Sequence, residues 1–276
     1  MNDPHPAVRM ASVETLIYLI NIDKELAVRW FCKACADDLR IAASPRAALF
    51  FNHSFHSHFD QLSPIISKMV RSPLDDVTYE GAREATARWL FHGMLEQEVA
   101  ECCQGTIPQR KGIADVTSYF MSDEKYREQC WELLLPLLDD PEKEVRDAAN
   151  IMFRGDSLLS CKIDFTKAYI KSKSFCDHPS QLVDKLKDFP GSLLDLADVI
   201  FTLCEIFTSK LQKKSRDHSS SVVGVVSDVS SLLLRLYEQS PGTGNEQITN
   251  CCLDIWDELF EKRVGMVREL TNAIEK

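Results

Sequence analysis

Three groups of residues in this chain carry side chains capable of chemistry, and their spacing decides what that chemistry can be. Cys32-Lys33-Ala34-Cys35 is formally a C-x-x-C pair. A redox pair opens a helix, where the helix dipole favours the thiolate. Here the pair falls late in an apolar-periodic segment, Lys24 to Ala36, among Val28, Trp30 and Phe31. A zinc site needs a second pair with a two-residue gap, and Cys102-Cys103 and Cys251-Cys252 are adjacent. These thiols are read as small packing groups.

His53, His56 and His58 form H-x-x-H-x-H, the most metal-like arrangement present. Two histidines three apart share a helix face, but zinc needs three or four converging ligands, and Asp60 is the only carboxylate close by. Phe51, Phe55 and Phe59 form another stripe of what reads as the same helix, so the histidines are read as its polar face. Asp75-Asp76 and Asp139-Asp140 stand at turns, where capping accounts for them. Gly242-Thr243-Gly244-Asn245 lacks the lysine and the glycine spacing of a phosphate loop. No G-x-S-x-G elbow occurs. No catalytic, cofactor-binding or metal-ligating residue is assigned, and no enzymatic activity is expected. A lyase or hydrolase on a helical toroid would instead require His53, His56, His92 and carboxylates to meet in space.

The chain has a net charge of −10, which opposes general attraction to a phosphate backbone. One stretch runs the other way. Between Cys161 and Arg216, ten Lys/Arg stand against seven Asp/Glu. Lys162, Lys167, Lys171, Lys173, Lys185 and Lys187 are candidates for a basic groove facing nucleic acid or an acidic protein. A solvated face is the simpler reading, since aromatic residues are sparse among them.

The elements that must position these residues read as helices. Of 276 residues, 45% are hydrophobic and 27% charged, with only ten glycines and eleven prolines, few for a protein that turns every ten residues. From Tyr126 to Arg154 the pattern is clearest. Trp131, Leu134, Leu135 and Leu138 recur at helical spacing, Asp139-Asp140-Pro141 interrupts, and Val145, Ala148, Ala149 and Met152 form the stripe of a second helix ending near Gly155. Pro is tolerated in a first helical turn and Asp140 can cap it, giving a helical hairpin. Leu194 to Lys214 predicts a long helix with a basic end. Ser219 to Glu238 predicts a helix, with a buried strand as the alternative use of Val222, Val223, Val225 and Val226. Gly242 to Asn245 is a loop, Ile248 to Glu261 a helix, and Val264 to Lys276 a short terminal helix.

The Pro-containing corner recurs. Asp3-Pro4-His5-Pro6-Ala7-Val8-Arg9 matches Asp140-Pro141-Glu142-Lys143-Glu144-Val145-Arg146 at Asp, Pro, Val and Arg, with Ala11 and Ala148 two positions further on. Looser versions lie at Pro73 to Arg83, with Asp75, Asp76, Gly81 and Ala82, and at Ser44-Pro45-Arg46-Ala47-Ala48. Such spacings fit helix-pair repeats. The D-P-x-x-x-V-R corner between amphipathic helices resembles the HEAT repeat and its armadillo relative. That resemblance covers residues 1 to about 155. It implies an all-α α-solenoid of stacked antiparallel helix pairs, in which Asp3, Arg9, Asp140 and Arg146 are structural turn residues of an Asp/Arg ladder. Residues 1–160 are then HEAT-like repeats, and 161–276 continuing repeats or a C-terminal helical cap.

The segment Cys251 to Phe260, followed by Val267-Arg268-Glu269-Leu270, is similar to the last helices of large bacterial NTPases ending in HEAT-like sensors. With the chain opening inside a turn and Val8, Val13, Leu16, Ile17 and Leu19 following at once, the expected partner is a protein: a preceding N-terminal portion, an associated NTPase, or another macromolecule held by second helices of successive pairs. The function so implied is a non-enzymatic scaffold or sensor module without cofactors. Nucleic-acid binding through residues 162–216 is the alternative, since some HEAT-like stacks resemble DNA-glycosylase relatives. Ten cysteines fall short of a disulfide scaffold. Charged Asp3, Arg9 and Glu14 interrupt any signal-peptide core, and no apolar run reaches membrane-spanning length. A cytoplasmic location is expected.

Overall fold

Prolines stand at or within two residues of several helix starts of this chain. The computed structural model describes residues 5–154, 163–213, 225–241 and 246–261, and among these it holds fifteen α-helices and no strand. The protein is all-α. Two compact units divide it. The first comprises Met1–Phe120, Lys125–Leu137 and Glu142–Ala149, and the second Met121–Glu124, Leu138–Pro141 and Asn150–Lys276.

The first unit contains α1 (Pro6–Ile20), α2 (Lys24–Asp37), α3 (Pro45–Ser54), α4 (Phe59–Val70), α5 (Asp75–His92), α6 (Glu96–Cys103), α7 (Ile107–Phe120), α8 (Arg127–Leu137) and α9 (Lys143–Ala149). Every odd-numbered helix of this unit has a proline within two residues of its start: Pro6, Pro45, Pro73, Pro108 and Pro141. A proline there loses no helical hydrogen bond and fixes φ for the first turn. Asp23 caps α2 by accepting the Leu26 N–H at 2.9 Å. Gly93 ends α5 in the left-handed region, φ 68°, and its N–H reaches the Trp89 carbonyl at 2.8 Å.

Packing in this unit is local. Each substantial helix contact joins a helix to the next or the next but one: α1 to α2 and α3, α2 to α4, α4 to α5 and α6, α5 to α6 and α7, and α7 to α8 and α9. Two glycines set the closest approaches. A Cβ on Gly81 of α5 would stand 2.6 Å from the Met69 Cβ and from the Val70 nitrogen of α4, and one on Gly112 of α7 would stand 2.7 Å from the Tyr79 carbonyl oxygen of α5. Phe31, Phe50, Phe51 and Phe55 are fully buried. The Phe31 ring stacks on Phe50 at 4.2 Å and meets Phe51 edge-on at 5.3 Å. Each such side chain contributes about 1.5–3 kcal/mol by leaving water.

Side-chain bonds repeat this local order. Arg9 to Asp38, Ser67 to Glu98, Arg71 to Glu101, Arg88 to Asn52, Gln109 to Val70 and Ser118 to the Ala149 carbonyl join residues between 29 and 39 positions apart.

The second unit contains α10 (Ile163–Lys171), α11 (Lys173–Asp177), α12 (Pro179–Lys187), α13 (Ala197–Lys213), α14 (Val226–Gln239) and α15 (Glu246–Glu261). Helix α13 packs on α10, α14 and α15, and α12 packs on α14. Asn150 and Tyr169 are buried together, with the Tyr169 hydroxyl donating to Asn150 Oδ1 at 2.7 Å. Arg235 of α14 closes the end of α12, donating to the carbonyls of Lys187 at 3.0 Å and Phe189 at 2.9 Å.

Several expectations are corrected. The hairpin over Tyr126 to Arg154 forms as α8 and α9, but α9 stops at Ala149 and residues Asn150–Arg154 tighten into a 3₁₀ turn. Asn150 there turns its side chain to Tyr169 rather than continuing the helix. The single helix carrying Phe51, His53, His56, Phe55 and Phe59 is three pieces. Helix α3 ends at Ser54, His56–His58 form a 3₁₀ turn, and α4 starts at Phe59. The long helix from Leu194 opens as a 3₁₀ turn, Leu193–Leu196, with the Ser192 hydroxyl accepting the Leu194 N–H, before α13 begins. Asp3, Lys162, Arg216, Val222, Val223, the loop 242–245 and the terminal segment 264–276 lie outside the described residues.

Candidate partner-binding groove

Where the starts of α5, α7 and α9 come side by side, the first unit holds an open groove of about 780 Å³. Asp75, Asp76 and Tyr79 line it from α5, Thr106, Ile107, Pro108, Arg110 and Lys111 from the start of α7, and Glu144 from α9. A proline lies within two residues of each of these three helix starts: Pro73, Pro108 and Pro141. Acidic residues in those turns, Asp75, Asp76 and Glu144, face the positive ends of their own helix dipoles.

Tyr79 forms the groove's floor. Its hydroxyl donates to Asp115 Oδ2 of α7 at 3.1 Å, and its ring lies under two cations, Arg83 at 5.5 Å and Lys111 at 5.7 Å. Arg83 also forms ion pairs with Asp115 and Glu80, each at 2.9 Å. Burial, and then the Asp115 carboxylate, push the Tyr79 hydroxyl up to about 12, so it stays protonated and keeps donating. Burial raises the Glu80 carboxyl against the lowering pull of Arg83. The groove's own cations are committed: Lys111 lies 3.4 Å from Glu144, and Arg110 donates to the Gly105 carbonyl.

One turn deeper on α5, Glu84 and Arg88 are a buried ion pair at 3.1 Å. Arg88 also donates to Asn52, and its guanidinium stands 5.7 Å over the Phe55 ring. Burial raises the Glu84 carboxyl, with Arg88 opposing. Beyond this pair, His56 and His92 bring their rings to 5.4 Å. Burial, then Arg88 and His56, lower the His92 imidazole, so it favours the neutral form.

The residues singled out in the sequence fall as follows. Arg9 pairs with Asp38 at 2.9 Å, on a residue that also binds Arg40 at 2.9 Å. Asp140 is buried in the turn before α9, and Arg146 is half-buried on α9. Cys35 is buried and Cys32 half-buried in the last turns of α2, where burial raises both thiols. Burial likewise pushes Cys102 to about 12. No disulfide joins any two of the nine cysteines among the described residues. Histidines 53, 56 and 58 do not converge: His58 turns to Glu25 at 3.0 Å while His56 stacks with His92. Among the described residues no three His, Cys, Asp or Glu side chains come together as a metal site. His56 and His92 do meet, but the nearest buried carboxylate on α5, Glu84, is already held by Arg88.

The basic stretch is largely tied down. Lys167 lies 3.9 Å from Asp198, Lys187 lies 2.8 Å from Asp228, and Lys173 donates to the Asp139 carbonyl at 3.2 Å. No helix among the described residues is long and apolar enough to cross a membrane.

No family model, curated protein or solved structure matches the chain. The reading of its function rests on its own residues.

Asp38, Tyr79, Glu84, Arg88 and Asp115 are the site and support residues that the sequence did not single out. Asp38, Tyr79, Arg88 and Asp115 have partners about one helix pair away, beyond any local pattern, while Glu84 pairs with Arg88 four positions on along α5. Pro108 was a usable signal for α7, but no Asp precedes it, so it falls outside the Asp-Pro template.

Proposed function

We propose that the first unit is a HEAT-like α-solenoid and that the chain is a non-enzymatic scaffold or sensor module holding another protein. The observation that carries this reading is the spacing of the first unit's cross-helix side-chain bonds, 29 to 39 residues in each case named for that unit. It is supported by the substantial helix contacts of that unit, which join a helix to the next or the next but one. In a stack of this kind, neighbour packing supplies the stability and surface positions are free to specify a partner. The groove between the starts of α5, α7 and α9 is the partner-binding face, because it is the concavity built from successive second helices. The pairing of Lys167 and Lys187 with local carboxylates, and the bond from Lys173 to the Asp139 carbonyl, favour a protein over nucleic acid as the ligand. The partner is a separate protein or an associated NTPase in the cytoplasm.

Capture by the immobilised full chain, with Ile107→Lys as the groove variant, tests this. A protein retained by the wild type and lost by the variant is expected. Retention unaffected by Ile107→Lys contradicts the groove as the binding face. Retention of a short DNA duplex at 0.15 M salt contradicts the protein-binding reading.

A further inference from the structure

The groove's charges do not balance, and their imbalance identifies the chemistry of the segment that fills it. Three carboxylates, Asp75, Asp76 and Glu144, line it against two cations, Arg110 and Lys111. Both cations already have partners within the unit: the Gly105 carbonyl for Arg110, Glu144 and the Tyr79 ring for Lys111. Asp75 and Asp76 are exposed, and neither enters an ion pair among the described residues. Beside them stand apolar surfaces: Ile107, 38% exposed, and Pro108 on the α7 side. An exposed carboxylate pair beside an apolar wall matches a long basic side chain, whose methylene stem lies on apolar surface while its charged head reaches the anions.

The geometry points to a basic segment of a partner protein as the occupant. Its arginine or lysine would be clamped by Asp75 and Asp76, with the stem along Ile107 and Pro108. A volume of about 780 Å³ accommodates a few side chains of such a segment. The chain's net charge of −10 adds long-range attraction for such a segment. This inference rests on the groove being the partner-binding face.

The test uses the full chain and two fluorescently labelled octapeptides, one alternating arginine and serine, the other glutamate and serine, read by anisotropy at 0.15 M salt. The arginine peptide is expected to bind, the glutamate peptide to bind at least about tenfold more weakly. Removing each carboxylate is expected to weaken the arginine peptide by up to about fivefold, the range of an exposed charge pair. Asp75→Asn/Asp76→Asn is the principal variant. Glu144→Gln and single Asp75→Asn serve if the double variant melts early. Asp195→Asn/Asp198→Asn in the second unit, which changes charge equally, is expected to leave binding unchanged. Equal binding of the two peptides, no binding of either, or equal loss from the second-unit variant overturns the proposal. If the arginine peptide fails but Ile107→Lys still abolishes partner capture, only the assigned chemistry is lost. If Ile107→Lys has no effect either, the groove is not the binding face.

Discussion

Arg9 Nη2 lies 2.9 Å from Asp38 Oδ2, bridging the start of α1 to the end of α2 across 29 positions. Neither side chain is more than 19% exposed, so water weakens the pair less than it would at the surface. Asp38 also accepts the Arg40 N–H, fixing the turn that leads to α3. Replacing Arg9 by Gln is expected to cost about 1 kcal/mol, and a double-mutant cycle with Asp38→Asn to return a favourable coupling. Hydrogen bonding from Arg40, with the charge of Arg9 beside it, holds the Asp38 carboxyl below its ordinary value. The unfolded chain therefore takes up this proton first as pH falls, and the stabilisation is lost from about pH 4 downward. Chemical denaturation between pH 3 and 6 should show a shallower fall for Asp38→Asn than for the wild type.

Gly81 and Gly112 allow α5 to approach α4 and α7 closely. A Cβ at either position meets backbone atoms at 2.6–2.7 Å, which no side-chain rotation relieves. Either glycine changed to alanine should destabilise the protein by about 1–3 kcal/mol, although alanine is the better helix former. Thermal melting checks this. A rise in Tm for Gly112→Ala would mean that α5 and α7 do not pack as described.

Glu84 and Arg88 are an ion pair deep in α5, with Arg88 2% exposed. Arg88→Met alone strands the carboxylate and should cost about 3 kcal/mol or more. Glu84→Leu/Arg88→Met together should recover most of that loss, because burying two uncharged side chains avoids the desolvation of both ions. Urea titration of the two variants separates these outcomes.

In the second unit, Asn150 binds the Tyr169 hydroxyl at 2.7 Å. Asn150→Ala should cost about 1–3 kcal/mol by leaving that hydroxyl buried without its acceptor. Tyr169→Phe should cost less, because the amide keeps its contact with the Ser174 carbonyl at 3.5 Å. Calorimetry on both variants gives the comparison.

The helices were legible wherever apolar residues recur at three and four positions, as in α2 and in the α8–α9 hairpin. The corners were legible at Asp-Pro, since aspartate and proline act within a single turn. What lies between helices was not. Tyr79 finds Asp115, Arg9 finds Asp38 and His56 finds His92 only because consecutive helix pairs place residues 29 to 36 apart side by side. No local pattern marks which of several aspartates will be the one opposite. The H-x-x-H-x-H motif misled for a related reason. It presupposes one helix through residues 53–58, and α3 ends inside it.

The stack proposed for the first unit is tested most directly by zero-length carbodiimide cross-linking of the full chain, mapped by mass spectrometry. Lys111 and Glu144, 3.4 Å apart, should couple. Every other link within the first unit should span no more than about forty residues, as nearest-neighbour packing requires. Links joining residues 6–37 directly to residues 107–149 would contradict the stack.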